Sequence, residues 1–359
     1  MAPINNQQTI LDSVLKAFVS EIFQKAGMPQ TDAEITSDCL VFADLRGTET
    51  HGVSRVNTLV KKMAAGVIKA KPSPRVLKDQ GATLLVDGDD AMGQVTAGYA
   101  MKLAIQRAAD TGVSMVGAIN GGHIGALAYW SMMALPHKMI GFSTSNGTPI
   151  MAPWGSKEAM ISNMPLSISA PAGKRFPLVL DMALSVAARG NIILAEKKGD
   201  PIPLSWAIDQ EGEPTQDPKK ALKGSVLPVG GYKGSALAIM IEVLTAVLLG
   251  GKFGKDCGFM APESLILAKT MGFSHLMMAI NIETFTPIDQ FRERMDVLID
   301  LLKNAPLAKG VDTIFLPGEK EFLMEQKRKK EGIPLDEVTT RELNLLAKRF
   351  GLQSPLWSV

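Results

Sequence analysis

The hydrophobic period of this chain changes between Pro72 and Ala82, and that change restricts the folds open to it. Before it, Ile10, Val14, Phe18, Ile22 and Phe23 recur at helical spacing and predict a helix from Thr9 to a stop at Gly27. A second helix begins at Thr31 and runs through Leu40 to Asp44, a third spans Asn57 to Gly66, and Pro72 and Pro74 close the unit. After it, a β-rich run at Ala82 to Asp87 precedes a helix at Val95 to Gly112 and a second apolar run at Val113 to Ala118. Strand, helix and strand in that order predict an α/β sheet.

More strands are expected at Ile140 to Thr144, Met160 to Ala170 and Phe176 to Met182. Leu276 to Ile282 is expected as an edge or closing strand, with His275 before it. Pro201 to Pro218 is rich in turn residues and reads as surface loop, as does His137. Amphipathic helices are predicted at Ile288 to Lys303, Lys320 to Glu331 and Thr339 to Phe350, with the basic run at 327–330 solvating an exposed face.

Composition excludes several function classes. The 38 basic residues nearly cancel the 36 acidic ones, so there is no electrostatic footprint for nucleic acid, and 6% aromatic residues do not make a stacking platform. Cys39 and Cys257 form no C-x-x-C pair, which indicates neither a zinc site nor a disulfide framework and leaves a reducing cytoplasm as the expected location. No signal peptide is expected from the first residues, MAPINNQQTILDSVLKAF. The apolar run from Ala236 to Gly251 carries Glu242 and is short for a bilayer span, so a buried helix and no membrane association are expected.

Four stretches carry candidate chemistry. In LRGTETHGVSRV, Leu45 to Val56, a helical His51–Arg55 segment would put an imidazole and a guanidinium on one face. Imidazole exchanges protons near neutral pH and guanidinium grips a carboxylate through two parallel hydrogen bonds, a pairing suited to a 2-oxo acid. In NGGHIGALAYW, Asn120 to Trp130, glycines lead from a strand into a helix whose first turn is expected to hold His123, a junction that suits a phosphate. It lacks the G-x-G-x-x-G spacing, and the next strand ends in Ser145-Asn146-Gly147 rather than an acid, so a Rossmann site is not indicated. Asp181, closing FPLVLDM, either meets a ligand or caps a helix from Ala183. Lys233 in LPVGGYKGSALA, Leu227 to Ala238, is a ligand contact or a surface lysine, and Gly234 after it rules out a Walker loop.

Together with Phe315 to Glu319 (FLPGE) and Glu331 to Pro334 (EGIP), these motifs resemble the malate/L-lactate dehydrogenase family of NAD(P)-dependent oxidoreductases, over residues from about 10 to 350. That family includes sulfolactate and ureidoglycolate enzymes and a cyclic-imine reductase acting on piperideine-2-carboxylate. The resemblance implies an α/β fold with a non-Rossmann nicotinamide-binding sheet and a helical domain built from both chain ends. It implies a helical region at 1–75, a cofactor-binding region at 76–284, C-terminal helices at 285–359 packing with the first region, and a homodimer. His51 is similar to the family's proton donor and Arg55 to its carboxylate ligand, with Thr50 standing where many members have Ser. His123, Ile124, Gly125, Ala126 and Leu127 resemble the cofactor loop, and in some members that His is assigned to catalysis. Ser162, Leu180, Asp181, Met182, Lys233, Pro317, Gly318 and Glu319 resemble further cofactor contacts, and no metal is implied.

The expected reaction is hydride transfer between NAD or NADP and a 2-hydroxy acid/2-oxo acid pair, with a cyclic 2-imino acid as the alternative substrate. Two other readings use the same residues. Lys233 as a Schiff-base lysine with Gly121 to Gly125 on a phosphate would make a pyridoxal phosphate enzyme, and Arg55 alone would make a non-catalytic carboxylate-binding protein.

Overall fold

The computed structural model describes residues 8–258 and 270–357. Thr9–Ile10 forms a short strand, β1, and the first helix starts only at Asp12, whose carboxylate lies in the first turn (α1, Asp12–Lys25). Helices α2 (Gln30–Leu45) and α3 (Val56–Ala64) follow, each beginning within one residue of its expected start. Val14 points to solvent, but Leu15, Phe18, Val19, Ile22 and Phe23 are buried.

A strand from the far end of the chain, Ile333–Pro334, pairs antiparallel with β1 through Thr9–Pro334 and Ile10–Ile333. The last helix, Glu337–Phe350, is capped by Asp336, whose carboxylate accepts the Thr339 N–H at 2.9 Å. Its Leu343, Leu346 and Ala347 join Leu15, Phe18 and Phe23 in one apolar cluster, so both chain ends contribute to a single core.

The main sheet has seven strands: β2 (Arg75–Gln80), β3 (Thr83–Asp87), β4 (Val113–Gly121), β5 (Met139–Ser145), β6 (Leu166–Ala170), β7 (Leu178–Met182) and the Phe273–Asn281 strand. Two short pairs of residues, β8 (Ala207–Ile208) and β9 (Ser225–Val226), form a separate ladder, which makes Phe273–Asn281 β10 and Ile333–Pro334 β11. The spatial order is β2-β3-β4-β10-β5-β6-β7. Only β3 and β4 run parallel, connected by α4 (Gly93–Thr111), and every other neighbouring pair is antiparallel. A Rossmann sheet is parallel throughout its nucleotide-binding half, so this is a different α/β architecture.

Several expectations are corrected. The strand expected at an edge, β10, lies at the centre between β4 and β5, and it includes His275, which pairs with Ala118 on one side and Ser145 on the other. Its burial on both faces gives it a continuous apolar run, the pattern of an interior strand. The strand expected from Met160 starts only at Leu166, because Met164 takes a left-handed φ of 37° and Pro165 has no N–H to give a ladder. Strand β2 was not anticipated: all six of its residues are exposed, as an edge strand allows. The apolar run at 236–251 is not a buried helix. It forms α8 (Tyr232–Glu242) and a π-helical turn, and exposes Leu237, Met240, Val247 and Leu248. Helix α5 (Leu127–Met132) begins four residues after His123, which therefore sits in a loop. Between α5 and α8 lie α6 (Arg189–Lys198) and α7 (Pro218–Lys223).

Helices α9 (Ile288–Lys303) and α10 (Glu319–Glu331) precede the last helix, α11. Helix α9 buries only Ile288 and Ile299, and its Asp296 carboxylate accepts the N–H groups of Gly173, Lys174 and Arg175 in the turn between β6 and β7. In the basic run on α10, Arg328 is not a solvated residue: it reaches the Asp44 carbonyl and the Glu49 carboxylate. Among the described residues no helix is long and apolar enough to cross a membrane.

Candidate active site

The segment carrying His51 and Arg55 is not one α-helix. It forms two 3-10 turns, Glu49–His51 and Val53–Arg55, separated by Gly52 in an extended conformation, before α3 begins. The chain leaves α2 at Gly47, with a positive φ of 79°, and is held from beneath by the buried Asp44, whose Oδ2 accepts the Val53 N–H at 2.8 Å. Burial raises the Asp44 pKa to about 8, against the lowering effect of that N–H.

The two turns still bring the expected side chains together. Thr50 Oγ1 lies 2.9 Å from His51 Nδ1, and Arg55 donates from Nε to the Thr50 carbonyl at 2.6 Å. The methyl of Thr50 is therefore compatible with a hydroxyl that orients the imidazole. Burial lowers the Arg55 pKa, and among the described residues no carboxylate is paired with it.

His123 comes from the other side. The strand β4 ends at Gly121, Asn120 takes a left-handed φ of 56°, and the next residues cross the start of α4 so closely that a β-carbon on Gly93 would lie 2.2 Å from the His123 carbonyl oxygen. Trp130 Nε1 holds the Ile124 carbonyl at 2.9 Å, and Gly125, at a φ of 74°, gives its N–H to His123 Nδ1 at 3.3 Å. The His51 and His123 rings end up 5.3 Å apart at an interplanar angle of 30°.

Burial sets the protonation of this cluster. It lowers the His51 pKa from 6.5 to about 4, with the Arg55 charge acting in the same direction. It holds His123 well below its ordinary value, reinforced by the charges of His51, Arg55, Lys62 and His275. Lys62, in a small chamber behind Arg55 and His123, is brought down to about 8 by burial and then by Arg55.

These residues stand at one side of a cleft of about 920 Å³. Its other walls are the 123–128 loop, the end of β5 from Ser145 to Ile150, Ser162 to Pro165, the end of β7 from Val179 to Ala183, the start of α6 from Ala188, and Pro317–Gly318. The structure thus gathers Thr50, His51, Arg55, His123 to Leu127, Ser162, Leu180 to Met182, Pro317 and Gly318 around one space. Asp181 accepts the Ala128 N–H at 2.8 Å, so it caps α5 and not a helix from Ala183, and burial raises its pKa to about 6.

Two expected residues do not line the cleft. Glu319 is turned away, bound to Lys303 Nζ at 2.7 Å and to the Leu316 N–H at 2.9 Å. Lys233 is exposed on α8. The cleft also includes three charged residues that sequence reasoning assigned no role: Arg46, Arg189 and Glu321. Arg46 is paired with Glu325 at 3.0 Å, whereas Arg189 donates to the Leu222 carbonyl at 2.9 Å.

The cleft is large enough for an extended ligand. Gly125, Gly147, Gly190 and Gly318 leave backbone within reach of a ligand, and at Gly147 the nearest neighbour of an added β-carbon is Ser162 at 3.7 Å, which leaves room for a ring. Of the charged lining, Arg46 is paired with Glu325, which leaves Arg55 and Arg189 facing Asp181 and Glu321.

Comparison with known proteins shows which family the chain resembles. Residues 11–344 match the family model described as malate/L-lactate dehydrogenase. The chain is 37% identical over 347 residues to malate dehydrogenase of Pyrococcus abyssi, covering 94% of each chain. It is 38% identical over 338 residues to L-sulfolactate dehydrogenase of Methanocaldococcus jannaschii, covering 94% of this chain and 96% of the relative. The solved structure of malate dehydrogenase from Entamoeba histolytica superimposes with a TM-score of 0.92 at 28% identity, over 97% of this chain and 99% of that one. With the family model and these relatives spanning nearly its whole length, the chain belongs to the malate/L-lactate dehydrogenase family.

Proposed function

We propose that the cleft performs reversible hydride transfer between a nicotinamide dinucleotide, NAD or NADP, and a 2-hydroxy acid/2-oxo acid pair of the malate, lactate or sulfolactate type. The observation that carries the reading is the cluster of His51, His123 and Arg55, two neutral imidazoles 5.3 Å apart beside a guanidinium that has no carboxylate partner among the described residues. The bound nicotinamide supplies the hydride-accepting or hydride-donating ring.

Arg55 keeps its terminal nitrogens for the substrate, because Nε is already committed to the Thr50 carbonyl. A carboxylate held there in two parallel bonds fixes one face of the adjacent carbonyl toward the ring, which is worth as much through orientation as through binding. His51, turned by Thr50 at Nδ1, has Nε2 to exchange a proton with the substrate oxygen. In the oxidative direction the resting neutral imidazole is the base. In the reductive direction the incoming carboxylate offsets the Arg55 charge that disfavours the imidazolium, so proton and substrate anion enter together. His123, with Nδ1 occupied by the Gly125 N–H, stands next to His51, whose charge helps to keep it neutral.

The exposed apolar residues of α8 and its π turn support a second copy of the chain as partner, consistent with the homodimer implied by the family resemblance. Lys233 lies on this surface and not at the cleft, which removes the support for a Schiff-base lysine.

The test is a panel of 2-oxo acids, with and without a second acidic group, offered with NADH or NADPH while cofactor absorbance is followed. Consumption with at least one pair supports the reading. Tight binding of an acid with no cofactor consumption on any pair would favour a carboxylate-binding protein.

A further inference from the structure

We propose that His275 is a positioning residue for hydride transfer: from the centre of the sheet it holds two walls of the cleft in register, the loop carrying His123 and the end of β5. The proposal rests on the hydride-transfer reading above. His275 lies on β10 between the two strands from which those walls leave the sheet, β4 ending at Gly121 and β5 ending at Ser145.

On the β5 side the contact is a hydrogen bond whose direction is fixed. Ser145 Oγ lies 2.9 Å from His275 Nδ1 and 2.7 Å from the Asn146 carbonyl. A carbonyl only accepts, so the hydroxyl proton goes to Asn146 and the imidazole donates from Nδ1 to Ser145. The residue before His275 clasps Asn146 in turn: Asn146 Oδ1 accepts the Ser274 N–H at 2.8 Å, and the Asn146 N–H reaches the Ser274 carbonyl at 3.1 Å. Ser145 and Asn146 both line the cleft.

On the β4 side the contact is steric. The ladder is bulged, with Ile119 and Asn120 together opposing Ser274 and Asn120 in the left-handed region, a device that re-aims neighbouring side chains. The imidazole lies directly against Gly121, where a β-carbon would stand 2.4 Å from His275 Nε2 and 3.3 Å from Thr96 Cγ2 on α4. Ring and helix together set how closely the chain can approach as it turns toward His123.

Packing alone does not account for an imidazole here. The ring is fully buried, burial lowers its pKa to about 3, and Nε2 has no partner among the described residues. The buried residues that follow it, Leu276 and Met277, fill the interior without a nitrogen left unpaired, which costs free energy. What the imidazole adds over them is a bond to one cleft wall from the same ring that bears on the other.

The experiment compares wild type, His275→Leu, His275→Asn, Gly121→Ala and the double variant Gly121→Ala/His275→Asn in steady-state turnover of an accepted 2-oxo acid, with circular dichroism and thermal unfolding as fold controls. Leucine fills the space without a donor, whereas asparagine keeps a donor near the Nδ1 position and removes the Nε2 edge. His275→Leu is expected to lower kcat by about tenfold to a hundredfold with little change in the KM for the acid, and His275→Asn to recover most of that loss. Gly121→Ala is expected to lose turnover, and the double variant to regain part of it, because the atom its new methyl would meet is gone. A folded His275→Leu with wild-type kcat overturns the proposal, as does equal loss in His275→Leu and His275→Asn. If His275→Leu does not fold, the double variant decides: regained turnover supports the proposal and none overturns it. A wild type that turns over no pair overturns the hydride-transfer reading, and the proposal with it.

Discussion

The carboxylate of Asp44 and the backbone of Gly52 are in direct contact: a β-carbon on Gly52 would lie 1.9 Å from Asp44 Oδ1, while Oδ2 accepts the neighbouring Val53 N–H at 2.8 Å. The loop between His51 and Arg55 is thus seated on a buried acid at the end of α2.

Gly52→Ala must move either the loop or Asp44. A cost of about 1–3 kcal/mol in stability is expected, as for overpacking a filled site. Turnover is expected to fall further than cofactor affinity, because His51 and Arg55 flank the displaced residue. Thermal unfolding and cofactor titration check the two effects separately, and a variant matching wild type in both would show that Asp44 does not hold the loop.

Arg328 extends the same support from the C-terminal part of the chain. It donates to the Asp44 carbonyl and, at 2.6 Å, to Glu49 Oε1. Replacing it with Ala is expected to lower kcat with little change in cofactor affinity and to destabilise by about 1–3 kcal/mol, the range for bonds to a charged group. Measuring kcat, KM and the unfolding midpoint together distinguishes loss of loop placement from general instability.

Arg55→Lys retains a positive charge but loses the fork. The KM for the acid substrate is expected to rise by about tenfold to a hundredfold with cofactor affinity preserved. Steady-state kinetics with cofactor titration measure this, and an unchanged KM would move the carboxylate elsewhere.

The pH dependence follows from buried histidines. His51 is lowered to about 4 and His275 to about 3, in both cases first by burial, and His123 is also held well below 6.5. The folded protein keeps these rings neutral while the unfolded chain protonates them near 6.5, so stability rises with pH across about 4 to 6.5 and is lost on acidification. Asp44, raised to about 8, acts oppositely: its contribution is full below about 4 and declines as pH rises toward 8. Asp181, raised to about 6, acts in the same sense as Asp44, but three rings outweigh two carboxyls in the acid range, so the unfolding midpoint is expected to drop below pH 6.5. The acid limb of kcat/KM for hydroxy acid oxidation is expected near pH 4, not near 6.5.

Helices were legible wherever an amphipathic period repeated, as in α9, whose limits Ile288 and Lys303 coincide with the expected ones. The sheet was legible as short apolar runs, but their order was not. The position of β10 at the centre depends on pairing across more than a hundred residues, from His275 to Ala118 and Ser145, and no local pattern encodes that. The His51–Arg55 stretch brings its side chains to one cleft as expected but not as one helix, because a spacing of four suits a helix and the contact with Asp44 that breaks it at Gly52 is tertiary. Glu319 in FLPGE was named from its motif, yet its side chain serves Lys303 and the Leu316 N–H, while Glu321 two residues later faces the cleft. Arg189 had no signal beyond being basic, since its place on the cleft wall is visible only in three dimensions.

The most direct measurement of the central claim is single-turnover oxidation of nicotinamide cofactor, in the presence of an accepted 2-oxo acid, by wild type, His51→Ala and His123→Ala. All three are expected to bind cofactor. The His51 variant is expected to lose hydride transfer by about a hundredfold or more, and the His123 variant to slow less. Undiminished transfer in His51→Ala, with transfer abolished in His123→Ala, would contradict the assignment and make His123 the proton donor.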